Sequence, residues 1–259
     1  MRSLTAPSAR RLAPAALVVT VIVALAVHVL PMRPRNPLWE TTSWSLLVFA
    51  SFGGWGSLVC RLVARNRPVD LGLRVAWGAG LVCALGGCLM VPALMTRTMA
   101  LALVEVGLVL AIVALALGHR AVALRAAWCS RLLRREPRLA LLFAIVALLV
   151  AFQFLAGIAD WHTNPYDDDI AYLAFLKKLR DTGTILEPFS FRRLSTLGGQ
   201  TLFLELVSVR AAASQGHTFD RSICLLLIVL LALGHRDRAR RPTALALLVA
   251  VMFIVTLPS

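Results

Sequence analysis

Charge is what this chain lacks. Only 15% of its 259 residues are Asp, Glu, Lys or Arg, whereas a soluble globule carries about 25%. So little charge cannot coat a water-facing surface, which excludes an ordinary soluble domain. Lysine is almost missing: arginine supplies all but Lys177 and Lys178 of the 27 basic residues. Paired cysteines are missing too. Cys60, Cys83, Cys88, Cys129 and Cys224 lie in or beside apolar blocks, and none falls in the hydrophilic stretch 160–221. That pattern excludes a disulfide framework and a CxxC metal site. No Ser-His-Asp set, glycine-rich phosphate loop or haem signature is visible, and His162 has no metal-ligand spacing around it.

What the chain has is hydrocarbon. Apolar residues make up 59% of it and the mean hydropathy is +0.80. They fall in blocks that approach the ~20 residues a bilayer-crossing helix needs. Seven such blocks are legible: 12–30, 43–63, 74–95, 99–118, 139–158, 219–234 and 243–257. Backbone polar groups in hydrocarbon must be satisfied within the protein, so the blocks are expected to be helices. The fold class is therefore all-α: a polytopic helical membrane protein of about seven transmembrane helices.

The net charge of +14 is a topology signal rather than a nucleic-acid footprint. With the N-terminus in the cytoplasm, the short cytoplasmic segments hold arginines such as Arg10, Arg11, Arg65, Arg67, Arg134, Arg135, Arg240 and Arg241. The two short outer loops hold only Arg33, Arg35 and Arg97. The positive-inside rule then favours one orientation throughout. The first block reads as an uncleaved signal-anchor. Residues 1–158 read as a five-helix membrane bundle, 159–221 as an extracytoplasmic loop, and 222–259 as two further membrane helices. Ala76, Gly80, Ala84 and Cys88 form a ridge of small residues at i,i+4 spacing, and Gly53, Gly54 and Gly56 cluster on the preceding block. Such surfaces let membrane helices approach closely. The arginine- and leucine-rich stretch 121–138 reads as an amphipathic segment on the inner leaflet. Glu105, a carboxylate within an apolar block, is either functional or a hydrogen-bonded residue facing the bundle.

The loop holds eight acids, against five in the rest of the chain. Asn164 suits a helix N-cap and Pro165 the first helical position. Asp167, Asp168 and Asp169 follow in the first turn, where carboxylates complement the helix dipole. Lys177, Lys178 and Arg180 sit in the last turn, and Gly183 ends the helix. A second helix is expected over 197–213, with Leu202, Leu206 and Val209 as its apolar stripe. Two interfacial helices joined by a basic, aromatic connection would form the rim of an outward-facing cavity. The three aspartates serve either as a solvated helix start or as chemistry. One acid would suffice at a helix start, and three in a row repel one another unless a cation is near. Arg192, Arg193 or a divalent metal could supply that cation. Extended backbone would let Asp167 and Asp169 share a metal; helical backbone would make them diverge. Arg192 and Arg193 read as interfacial anchors or as phosphate binders, and Trp161 and Tyr172 as interface aromatics or site residues.

The aspartate run, Tyr172 four residues after Asp168, the helix ending at Gly183, the stretch from Pro188 through Phe189, Phe191, Arg192 and Arg193 to Gln200, and the second helix together resemble a known pattern. It is that of the first large outer loop of GT-C-type membrane glycosyltransferases, which use polyprenyl-phosphate sugars, and of a related group of bacterial polytopic membrane proteins. The resemblance covers about residues 160–235. It implies an essential aspartate among Asp167, Asp168 and Asp169, and substrate contacts from Tyr172, Arg192, Arg193 and Gln200. It further implies a polyprenyl-phosphate sugar as partner and a place in the bacterial cytoplasmic membrane. A chain ending at Ser259 reads as the front part of such a protein. The alternative is a non-catalytic membrane scaffold or subunit in envelope polysaccharide assembly or transport.

Overall fold

The computed structural model describes residues 37–64, 69–135, 173–186, 199–210 and 218–234, with helical residues among 141–152. Among these residues there is no strand. Pro37–Val63 forms helix α1, Leu71–Met90 α2, and Arg97–Arg135 α3. Three spans, Trp39–Val63, Leu71–Met90 and Arg97–Gly118, are long and apolar enough to cross a membrane. At most 33% of each span's apolar window is buried by the protein. Leu46, Leu62, Val91, Val106 and Leu115 point outward uncovered, a surface suited to lipid rather than water.

Helix α1 begins at Pro37, carries Glu40 in its first turn and Arg61 in its last, each in the place its charge or ring prefers. Two of its hydroxyls bond back within the helix: Ser51 donates to the Val48 carbonyl at 2.7 Å and Ser57 to Gly53 at 2.8 Å. Helix α2 is capped by Asp70, in extended backbone, whose carboxylate accepts from the Leu73 amide at 2.8 Å. It ends in a Schellman turn. Leu94 N donates to the Leu89 carbonyl and Ala93 N to that of Met90, with Ala93 in the left-handed region at φ 58.

Helix α1 packs against both α2 and α3, and glycine makes both contacts. A methyl group on Gly78 of α2 would overlap the Phe52 carbonyl, and one on Gly56 the Arg74 carbonyl. On the other side, a methyl on Gly54 would overlap the Gly107 carbonyl of α3. Trp55 Nε1 spans that contact, donating to the Leu103 carbonyl at 2.9 Å. The glycine cluster on the 43–63 block thus serves close approach. The Ala76–Gly80–Ala84–Cys88 ridge does not: Gly80, Ala84 and Cys88 are exposed, and nothing lies within 4 Å of a methyl on Gly80. The face of α2 that meets its neighbours is Gly72, Val75, Gly78, Val82, Gly86 and Met90.

Helix α3 also departs from expectation. Its 39 residues run without a break through the stretch read as a separate inner-leaflet segment, a length of about 58 Å. Only Arg97–Gly118 suits hydrocarbon.

Two short helices follow, α4 (Leu173–Thr182) and α5 (Gly199–Ser208). A π-helical turn, Phe219–Ile223, then leads into α6 (Cys224–Leu233). Helix α6 packs on α2, with the Leu230–Leu231 backbone against Gly72 and Gly234 beside Asp70. The expectation of two surface helices fails for α5. Thr201, Leu202 and every residue from Leu204 to Ser208 are buried. Val209, just beyond its end, meets Arg97 at the mouth of the bundle, while Leu202 fills the space over Gly86 and Gly199 touches Cys83 Sγ. Cys83 lies about two turns, or ~10 Å, below the end of α2 at Met90. Helix α5 is therefore packed among the spans rather than laid on their outside. Phe203 stacks on Phe219 at 4.5 Å and meets Phe52 edge-on at 5.8 Å, joining α5, the π turn and α1.

Candidate functional site

Most residues expected at the site, Asp167, Asp168, Asp169, Tyr172, Arg192 and Arg193, lie outside the described residues. Gln200 is described, and it is exposed in the first turn of α5. What the structure does define is the frame on either side of them: α4 begins at Leu173, and α5 begins at Gly199.

Helix α4 is amphipathic and buries Leu176 and Leu179. As its sequence implies, Gly183 ends it, with φ +72 and its amide donating to the Leu179 carbonyl at 2.8 Å. Only glycine suits this position twice over. Its φ is left-handed, and a methyl group would overlap the Ala93 carbonyl. The Gly183 carbonyl in turn accepts from Met95 N at 3.0 Å. The end of α4 is thereby seated on the α2–α3 turn.

The polar centre of this region is a pair that sequence reading passed over. Arg180 of α4 donates from Nε to Glu205 Oε2 at 2.6 Å. Its Nη2 donates to the Ser208 hydroxyl at 2.8 Å and to the Ser208 carbonyl at 3.0 Å. The Ser208 hydroxyl in turn donates a hydrogen bond to the Leu204 carbonyl. Arg97, at the start of α3, donates to the Val209 carbonyl at 2.8 Å. Two guanidinium groups thus gather at the C-terminal end of α5, where helix carbonyls carry partial negative charge. Glu205 is 1% exposed, and its Oε1 has no hydrogen-bond partner. Burial pushes its carboxyl above the usual range, opposed by the hydrogen bond and charge of Arg180 and by the charge of Arg97.

A signal for this pair was present. Glu205 is an isolated carboxylate in the apolar run 201–209, the same feature that singled out Glu105. Its placement in an outer loop hid that meaning. Glu105 itself sits half-buried on α3. Among the described residues, no group of three or more His, Cys, Asp or Glu side chains could hold a metal ion. The aspartates considered for a divalent cation lie outside them.

All-helical architecture with three spans long and apolar enough to cross a bilayer marks the chain as a helical membrane protein. No family model, curated protein or solved structure matches its sequence.

Proposed function

We propose that this chain is a glycosyltransferase-like protein of the bacterial cytoplasmic membrane. In this reading it transfers a sugar from a polyprenyl-phosphate donor on the outer face. The N-terminus is cytoplasmic, and the α2–α3 turn, α4 and the mouth of α5 face outward.

One observation carries most weight. The aspartate run ends four residues before Leu173, where a helix seated on the bundle begins. Four residues reach at most about 14 Å. In this reading that short tether to α4 holds the carboxylates, because a site supported by rigid elements keeps the geometry that catalysis needs. Asp168, or a neighbour, takes the proton of the acceptor hydroxyl as general base. The acceptor oxygen bonds to the sugar's anomeric carbon as the bond from that carbon to the phosphate oxygen breaks. Polyprenyl phosphate leaves with the electron pair, its charge met by Arg192 or Arg193. Tyr172 and Gln200 contact the substrate.

The test is to replace the aspartates singly, Asp167→Asn, Asp168→Asn and Asp169→Asn, in cells where the protein is the sole copy, and to profile envelope glycans. At least one variant is expected to abolish a glycan product without lowering the amount of protein in the membrane. Unchanged glycans in all three would end the enzyme reading and leave the scaffold. A cysteine introduced by Thr184→Cys should react with an impermeant maleimide from outside the cell; reaction only from the cytosol would put the site on the wrong face.

A further inference from the structure

We propose that the Arg180–Glu205 pair is a registry lock that fixes the rotation and height of α4 on helix α5. It would thereby set where the chain ahead of Leu173 meets the bundle. For catalysis this rests on the function proposed above; for the placement of the helix it does not.

The argument starts from what the pair costs. Taking a carboxylate out of water is expensive, and well-packed apolar residues of similar volume often hold a fold together as well or better. Adhesion alone does not call for Glu205, which is almost fully buried with one oxygen unpartnered. Direction is what the pair adds. The contacts of Leu176 and Leu179 with the bundle are non-directional, so they leave α4 free to roll or slide. Arg180 removes that freedom by meeting three acceptors at once on a single turn of α5. Ser208, which supplies two of them, is held in turn by Leu204. A guanidinium is a rigid planar fork, so one setting of the helix satisfies all three bonds. The surroundings are fixed as well: Gly183 is tied to Met95 and Val209 to Arg97. Arg180 and Glu205 are positioning residues, and they act on the aspartate run through α4.

The test uses the full chain with its five native cysteines replaced, in nanodiscs. Spin labels are placed on two exposed positions by Asp181→Cys and Val91→Cys, and the distance between them is measured by pulsed electron resonance. In separate samples Leu179→Cys, at a fully buried position, reports docking through its reaction with maleimide. Arg180→Met alone risks misfolding, so the decisive variant is the apolar pair Arg180→Met with Glu205→Leu. It is expected to keep position 179 protected while the single label distance splits or broadens. Glu205→Gln, which keeps an acceptor for Arg180, should retain the one narrow distance. If the apolar pair keeps that distance too, direction does not come from the ions and the proposal is wrong. If it exposes position 179, the pair is adhesive, and the proposal is equally wrong. Glycan profiling of the same variants separates the two readings. Loss with the apolar pair and retention with Glu205→Gln is expected, whereas glycans indifferent to the aspartate variants would sink the enzyme and leave the distance result standing.

Discussion

Where α1 crosses α2 and α3, glycine on both sides brings backbone against backbone. Where α4 meets α5, the contact is made of an arginine, a buried carboxylate and a serine. The crossing is set mainly by shape, because helices that approach this closely have little room to turn. The loop joint has only two buried leucines on α4, so it takes its direction from hydrogen bonds. The two joints should therefore fail differently: the first by overpacking, the second by an unpaired charge.

The largest effect should come from Gly78→Leu. Its side chain would have to occupy the position of the Phe52 backbone, so the spans must separate. A loss of about 3 kcal/mol or more is expected in reversible unfolding from mixed micelles. Gly80→Leu, two positions along with open space around it, should change stability by no more than about 0.5 kcal/mol. Equal losses at the two positions would mean that the crossing lies elsewhere. Next comes the loop joint. Arg180→Met strands the Glu205 carboxylate, and about 2–3 kcal/mol should be lost, less than for a wholly buried pair because Arg180 retains 30% exposure. Adding Glu205→Leu should recover most of it. If the double variant is no more stable than the single one, the joint is not governed by the cost of an unpaired charge.

The same contrast decides what could be read from sequence. Of the seven blocks that hydropathy marked, three stand among the described residues as spans, because an apolar block needs no partner to be recognised. Their ends were harder. Asp70 as a cap, and the Ala93 turn, are local hydrogen-bonding facts that a smoothed apolar signal does not carry, so 74–95 became Leu71–Met90. The arginines after Gly118 suggested a break, yet they continue the helix to Arg135. Small residues stand on two faces of α2, Gly72, Gly78 and Gly86 on one and Ala76, Gly80, Ala84 and Cys88 on the other, and nothing in the sequence says which one meets α1. Helix α5 was legible as a helix with a Leu202, Leu206 and Val209 stripe, but not as a buried one. Its burial rests on Gly86 more than a hundred positions earlier, and on Arg180 from another helix. Of the expected site, α4 and its Gly183 end stand in the structure; the aspartates lie outside its described residues.

A smaller effect probes the contact between the two regions. Trp44 of α1 donates from Nε1 to the Leu206 carbonyl of α5 at 2.8 Å, with its side chain fully buried. Trp44→Phe keeps most of the apolar volume and removes the donor, so about 1–2 kcal/mol should be lost in the same unfolding assay. A neutral result would mean that packing alone seats α5 on α1.

The gentlest probe is pH, which alters the loop joint and leaves the glycine crossing untouched. The Glu205 carboxyl is raised by burial, more than Arg180 and Arg97 lower it. The folded protein therefore holds this proton more tightly than the unfolded chain does. Stability from that difference is fully present below the unfolded carboxyl value, near 4.3, and is lost as pH rises through the folded one. Glu205→Gln keeps an acceptor for Arg180 and does not titrate. The melting temperature of the wild type, measured against that of Glu205→Gln in the same micelles, should fall as pH rises from about 4, then level off once the carboxyl is fully ionised. Other titrating groups cancel in the difference. A flat difference, or one rising with pH, would mean that the arginines outweigh desolvation, and the joint would then be a stabilising ion pair rather than one retained at a cost.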